Sequence, residues 1–461
     1  VTRTPLAFAL LLLSPAALAE GSAELPGQWM LASTTAYVDV VNASAETITF
    51  SIQGRVTVYS SSGGNMGSYG DGDTFDPLEN GPHRLVFSQD QRVDWDVQVN
   101  GAPAGEGRLW SLQWELDGRD YDADQGFDGG FFGLVDGGDG QTGVVQVRVN
   151  GWAGNRWTAI ASPAGFDGDH NRSLPTYLAA YTPSVPLYLN PPSVADYAHS
   201  EPTVSGLAFT IDPNGGGTFT FELGQSSTWH LVCDRDEDGV LDPTNEADFV
   251  ITGYAAAGPV EVVWDGDDRD GFEVIRIDAC EVRAATGELH FLAEDIETAW
   301  PGMQAFAVGS SGAATPLAMF WNDTPVIELD VPTPDGTEPA FSSGPSGLMS
   351  GDAGAAMSGH VNSRAWGDFS DQSRGNAAVL DTWARLALSA PSSADIGYDL
   401  DPDEVYDDPT PSDTDLGYDR EDYDGYTGGY YMGGCSAAGV GGGALGALLG
   451  AAGALVRRRR R

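Results

Sequence analysis

Three observations predict an all-β chain made of tandem antiparallel β-sandwich domains. Apolar residues recur with a period of two: Ile48, Phe50 and Ile52 alternate with Thr47, Thr49, Ser51 and Gln53. Val93, Trp95, Val97 and Val99 alternate in the same way with Asp94, Asp96, Gln98 and Asn100. Successive strand side chains point to opposite faces, so such runs have one buried and one wet face. Glycine is abundant, 61 of 461 residues, and clusters at 60–72 and 136–143, where the chain must turn. No long segment with a 3.6-residue period competes.

Taken in order, residues 1–19 carry Arg3, an apolar stretch at 6–13 and the small-x-small site Ala17-Leu18-Ala19. This is the pattern of a secretory signal peptide cleaved between Ala19 and Glu20. Residues 20–190 are expected to form an N-terminal β-sandwich domain, to which Val145, Val147 and Val149 add another alternating strand. The segment 186–192, Pro-Leu-Tyr-Leu-Asn-Pro-Pro, reads as an extended connector, because proline and the residue before it disfavour helix. A second β domain is expected over 195–310. There 218–223 alternate after a glycine turn, and 281–291 supply a strand pair around Thr286-Gly287.

Residues 311–394 hold strand-like runs at 318–321 and 326–329, with Trp366 and Trp383 as core aromatics, and predict a small or incomplete β region. From 395 to 434 Asp, Glu, Tyr, Pro and Gly dominate, a composition that predicts a disordered, self-repelling acidic stalk. The tail 435–461 reads Cys435-Ser436, an uncharged apolar stretch at 437–456, then arginines at 457–461. At a helical rise of ~1.5 Å such a stretch matches the ~30 Å hydrocarbon core of a bilayer. The arginines hold its end on the cytoplasmic side, which predicts a transmembrane helix.

That tail resembles the myxobacterial C-terminal sorting signal (MYXO-CTERM), in which a small-residue/Cys motif, a hydrophobic helix and an Arg cluster are read together. The resemblance implies a dedicated sorting protease acting near Cys435, lipidation of that cysteine, and display at the cell surface. Anchoring to the outer membrane then runs through the C-terminus, by a lipid or by the retained helix. A second resemblance lies at Val262-Val263-Trp264, followed by Asp265-Gly266 and Asp270-Gly271. A hydrophobic strand ending in Trp-Asp-Gly before an acidic turn resembles the Ig-like repeats of flagellar hook-capping proteins and other bacterial surface proteins. Gly287-Glu288-Leu289-His290-Phe291 suits the same type, and together these imply an Ig-like domain. The chain departs from that pattern after the turn, where Phe272-Glu273-Val274-Ile275 replaces the usual Pro-x-Gly-x-Tyr.

Acidic residues number 67 against 22 basic ones, all arginine, for a formal net charge of −45. Such a field repels phosphate backbones, so nucleic acid is not an expected partner, and it attracts divalent cations. Cys233 and Cys280 lie in the part expected outside the cytoplasm, where an oxidising compartment permits a disulfide. Closing that loop would add roughly 3–4 kcal/mol through the unfolded state.

The sharpest local motif is Asp234-Arg235-Asp236-Glu237-Asp238-Gly239-Val240-Leu241-Asp242. Asp at positions 1, 3, 5 and 9 with Gly at 6 matches the first part of a calcium loop, because hard Ca²⁺ takes six to eight oxygens. The Val240 carbonyl would stand at position 7 and Asn245 at position 12, with Glu246 and Asp248 following. Without flanking helices this resembles dockerin-like or thrombospondin-type loops rather than an EF-hand; the competing reading is a solvated acidic turn. Weaker acidic clusters are Asp265, Asp267, Asp268 and Asp270, and Asp120, Asp122 and Asp124 with Asp128.

The six histidines, His83, His170, His199, His230, His290 and His360, are far apart in sequence. No His-Glu-x-x-His, Gly-x-Ser-x-Gly or phosphate loop is present, so no catalytic role is expected. The expected function is that of an exported, calcium-stabilised structural or adhesive surface protein, with an extracellular polysaccharide or surface protein as partner. A carbohydrate-binding surface module is the alternative, with Trp110 and Trp114 sharing one strand face as a platform. A surface hydrolase using a carboxylate pair is the further alternative.

Overall fold

The computed structural model describes residues 19–400, apart from 104, 119–125, 166–170, 179–180, 193–196, 214, 246, 269–270, 327–335, 337–339 and 367–377. Residues 1–18, the stalk beyond 400, the apolar tail and Cys435 lie outside the described residues, as do Asp120, Asp122, Asp124, Glu246 and Asp270. The described residues are all-β, with no α-helix, and no helix among them is long and apolar enough to cross a membrane.

Sequence alternation becomes burial directly. In Thr47–Ser51 and Asp96–Asn100 the apolar residues are buried and the polar ones half-buried, and the two strands pair antiparallel with Phe50 opposite Val97. One large sheet runs from Ala314–Pro316 through Thr298–Val308, Thr142–Ala153, Phe127–Asp136, Leu187–Tyr188, Leu109–Ser111, Thr35–Val40, Gly81–Phe87 and Arg55–Tyr59 to Asn65–Gly70. A second runs Trp29–Met30, Gln113–Asp117, Trp157–Ser162, Leu289–Glu294, Val379–Ala384, Ala318–Phe320, Leu348–Met349. A third joins Ala19–Gly21, Asp96–Asn100, Thr47–Ser51 and Thr74–Phe75. Apolar side chains from all three meet in a single core.

A smaller sandwich has its own core. Val204–Ile211, Gly217–Leu223 and Gly258–Trp264 form one layer. Phe249–Ala255, Ser227–Cys233 and Arg276–Thr286 form the other, with Ala387–Leu388 and Ser392–Asp399 both pairing to Arg276–Thr286. Trp264 of the Trp-Asp-Gly motif is buried here against Phe219, Phe249 and Tyr398. Cys233 and Cys280 are directly opposed and disulfide-bonded.

The division of the chain differs from the one expected. Residues 281–291 do not form a strand pair with each other: Arg276–Thr286 belongs to the smaller sandwich and Leu289–Glu294 to the larger one. Gly287, at φ +64, makes this crossover, with its N–H donated to the Asp136 carbonyl. A side chain there would strike Leu386, 2.5 Å from where a Cβ would stand. The 311–394 stretch is likewise no separate region, since Val379–Ala384 pairs with Leu289–Glu294 and Arg364–Trp366 with Thr298–Val308. The reason is edge pairing: without these strands, central strands of the larger sandwich would leave buried backbone groups unsatisfied. Nor does the stalk begin at 395, because Ser392–Asp399 is a strand and Tyr398 is 1% exposed in the smaller core.

Aromatic packing seals the late segment to the early one. Trp366 lies 5.2 Å edge-on to Trp152, and Trp152 lies 5.8 Å from Phe291. Such contacts add about 0.5–1.5 kcal/mol each beyond burial. Trp383 and Trp114 are fully buried. Trp114 sits in a different sheet from Trp110, which stacks on Tyr37 at 4.3 Å, so the two do not share a strand face.

A fragment ending at residue 310 should therefore fail to fold, although it contains both of the domains expected from the sequence. A cooperative thermal transition with native near-ultraviolet circular dichroism in that fragment would contradict the shared-strand architecture; residues 19–400 should give both.

Candidate metal centre

Ser227–Cys233 and Phe249–Ala255 are antiparallel neighbours with Cys233 opposite Phe249. That register places the next residues on each side, Asp234 and Asp248, at the base of the connecting loop. Asp236 folds back over them, and one carboxylate oxygen from each of Asp234, Asp236 and Asp248 lies within 4.8 Å of the others. The loop is fastened from below by the Cys233–Cys280 disulfide and by the Asp234 N–H donating to the Ala279 carbonyl. Two left-handed residues, Glu237 at φ 61 and Gly239 at φ 79, produce its reversal.

The three carboxylates are unequally satisfied. Asp234 is 7% exposed; its Oδ2 accepts the Gly239 N–H at 3.0 Å, while its buried Oδ1 has no hydrogen-bond partner among the described residues. Asp248, 1% exposed, accepts the Asp242 N–H at 2.8 Å and the Arg235 N–H at 3.4 Å. Burial raises its pKa to about 7, and Asp236 and Asp234 push the same way against those two hydrogen bonds. A buried acceptor without a donor, inside a group of mutually repelling carboxylates, suits a hard cation that takes oxygen ligands.

The remaining expected ligands do other things. Asp238 Oδ1 accepts the Val240 N–H at 2.7 Å, and Asp242 Oδ1 accepts both the N–H and hydroxyl of Thr244. Asn245 donates to Asp236 Oδ2 at 3.2 Å. Asp248, which loop spacing places only after position 12, enters because strand register, not spacing, brings it in. In the acidic turn, Asp268 is paired to Arg235 at 2.6 Å and Asp265 accepts the Asp267 N–H. At the other end of the chain, Ala19 and Glu20 form a strand with Gly21, and the buried Glu20 carboxylate accepts the N–H groups of Arg108 and Leu109.

No family model, curated protein or solved structure matches this chain.

A second group of buried ionisable residues is invisible to sequence spacing. His230 Nε2 lies 2.7 Å from Glu288 Oε2, Glu288 Oε1 lies 3.0 Å from His290 Nε2, and His290 Nδ1 lies 2.9 Å from Asp381. Asn171 closes one end, 3.3 Å from His230 Nδ1; Ser173, Asp323 and Arg364 continue the other. All are buried. Histidines distant in sequence thus share one carboxylate at the crossover between the sandwiches. Burial depresses His230 despite the pull of Glu288. Burial opposes charge on His290 too, but Asp381 and Glu288 outweigh it and raise the ring to about 9. Glu288 is held well below the usual range, because His230, Arg385 and the two imidazole hydrogen bonds overcome its own burial.

The linked stability has a definite sign. A histidine titrating near 9 when folded and ~6.5 when unfolded contributes fully below pH ~6.5 and loses that contribution as pH rises through 9. Stability should fall on the order of 2–3 kcal/mol across that window. His290→Gln should flatten the fall in urea-denaturation measurements at pH values on either side of it. Equal slopes for both proteins would show that His290 does not carry the charge.

Proposed function

We propose that this chain is an exported, cell-surface-anchored structural or adhesive protein whose smaller sandwich is stabilised by calcium and which has no catalytic role. The observation that carries the calcium half of this reading is the buried Asp234 Oδ1, unpartnered among the described residues, beside the carboxylates of Asp236 and Asp248. These oxygens would hold the ion, and waters and loop carbonyls would complete its coordination. The ion would turn repulsion between the carboxylates into coordination and fix the loop on the disulfide beneath it. The export and anchoring half of the reading rests on the leader-like 1–19, on Cys435 with the apolar stretch and arginines, and on the MYXO-CTERM resemblance. A sorting protease and the outer membrane are the partners this implies, with a polysaccharide or surface protein as the adhesive target. An Ig-like smaller domain is the finer fold reading, supported by the Trp-Asp-Gly strand.

A ligand that binds only the folded state stabilises it by about 2.7 kcal/mol at a hundredfold excess over Kd. Calcium should therefore raise the melting temperature at fixed ionic strength, EDTA should lower it, and Asp236→Ala should remove most of the difference. Magnesium should substitute poorly, because it demands a tight octahedron and holds its water. Identical melting curves in EDTA and calcium would reduce the loop to an acidic turn.

Replacing Cys435 by Ala, or deleting residues 457–461, should leave an unprocessed precursor or release the protein to the medium. Unchanged surface display of both variants, measured by fractionation and immunoblot, would remove the sorting reading.

A further inference from the structure

A cavity of about 510 Å³ opens between the two sandwiches. Its walls come from both: His230, Arg283 and Arg385 contribute polar groups, Phe320 an aromatic ring, and Leu241 and Pro243 of the acidic loop an apolar flank. Arg385 stands at the third crossover, between Val379–Ala384 of the larger sandwich and Ala387–Leu388 of the smaller one.

The guanidinium of Arg385 is the unusual group. The residue is 9% exposed, yet among the described residues it donates no hydrogen bond; its nearest carboxylate oxygen, Glu288 Oε2, is 3.9 Å from Nε, beyond hydrogen-bond distance. Its other contact is the face of Phe320, 4.6 Å from the ring centroid. Its Nε and Nη2 are buried without an acceptor among the described residues, which is costly, and a carboxylate matches the planar fork they form. Arg283 adds a second positive charge to the wall, paired with Glu281 at 2.7 Å. The surroundings limit the charge of the occupant: Glu281 and Glu288 lie close by, so a dianion such as phosphate would meet two carboxylates, whereas a single negative charge answers Arg385. The volume falls in the range of small-molecule sites, and the apolar flank and Phe320 provide for a hydrophobic body.

We propose that this cavity binds a small organic monocarboxylate with an apolar body, its carboxylate on Arg385 and its body against Phe320 and Leu241. The cavity would then be a ligand site on the surface protein, separate from the cation loop that forms part of its wall.

The test is titration of the full chain, at saturating calcium and fixed ionic strength, with benzoate and hexanoate against benzamide and hexanol, read by calorimetry and thermal shift. At least one carboxylate should bind and raise the melting temperature, and its uncharged counterpart should not. Arg385→Gln should weaken that binding roughly tenfold or more, as expected for loss of a charge-assisted pair. Because Arg385→Gln also alters a buried position, Ser346→Trp at the exposed side of the cavity provides a second variant; it should block binding while keeping the native melting temperature. Binding of neither carboxylate, equal binding of the neutral analogues, an equal response to sulfate, or unchanged affinity in a folded Arg385→Gln or Ser346→Trp protein would each overturn the proposal.

Discussion

Leu289–Glu294 hydrogen-bonds on one side to Trp157–Ser162 and on the other to Val379–Ala384, segments drawn from opposite parts of the described chain. Remove it and the interior of a sheet becomes two unpaired edges in a buried layer, where each orphaned backbone group costs about as much as a lost hydrogen bond. The strand can reach that place only after the chain has built most of the smaller sandwich and crossed back at Gly287. The smaller sandwich in turn waits for Ser392–Asp399, which places Tyr398 beside Trp264. The two cores are thus completed by each other's flanking segments, the connectivity from which a shared transition is expected.

The crossovers have consequences for charge. Two of the three passages between the sandwiches, Gly287-Glu288 and Arg385-Leu386, carry a buried ionisable residue. Buried charges of this kind persist only when they are paired and hydrogen-bonded. Glu288 meets that condition fully, through two histidines. Arg385 meets it poorly, with only a distant carboxylate and an aromatic face. The difference separates a structural polar chain from a group with binding capacity to spare. Removing one member of the chain would leave a buried partner uncompensated, a change that typically costs 3–5 kcal/mol in such pairs.

The acidic loop follows another logic. Its charge is not balanced internally: Arg235 is occupied by Asp268, and backbone N–H groups satisfy only part of Asp234 and Asp248. The disulfide holds the base of the loop and therefore holds its carboxylates together at short range. Covalent closure and like-charge proximity together are the features on which the proposed stabilisation by a cation rests. The acidic surface as a whole, at −45, raises the local supply of such ions.

Alternation along single strands was enough to determine the β class and the buried faces of Thr47–Ser51 and Asp96–Asn100. These are properties of period two and need no knowledge of neighbours. Compartment and composition likewise pointed to the Cys233–Cys280 bond, and local spacing to Asp234 and Asp236. Tertiary structure alone decided the rest, because hydrogen bonding between strands is blind to distance along the chain. It divided the strands of 311–394 between the two cores, Val379–Ala384 to the larger and Ala387–Leu388 to the smaller, turned the start of the supposed stalk into a strand, and put Asp248 opposite Asp234 through the register of Cys233 with Phe249. It also joined His230 to His290, which lie on strands of different sheets and meet only because the chain changes sandwich at Glu288.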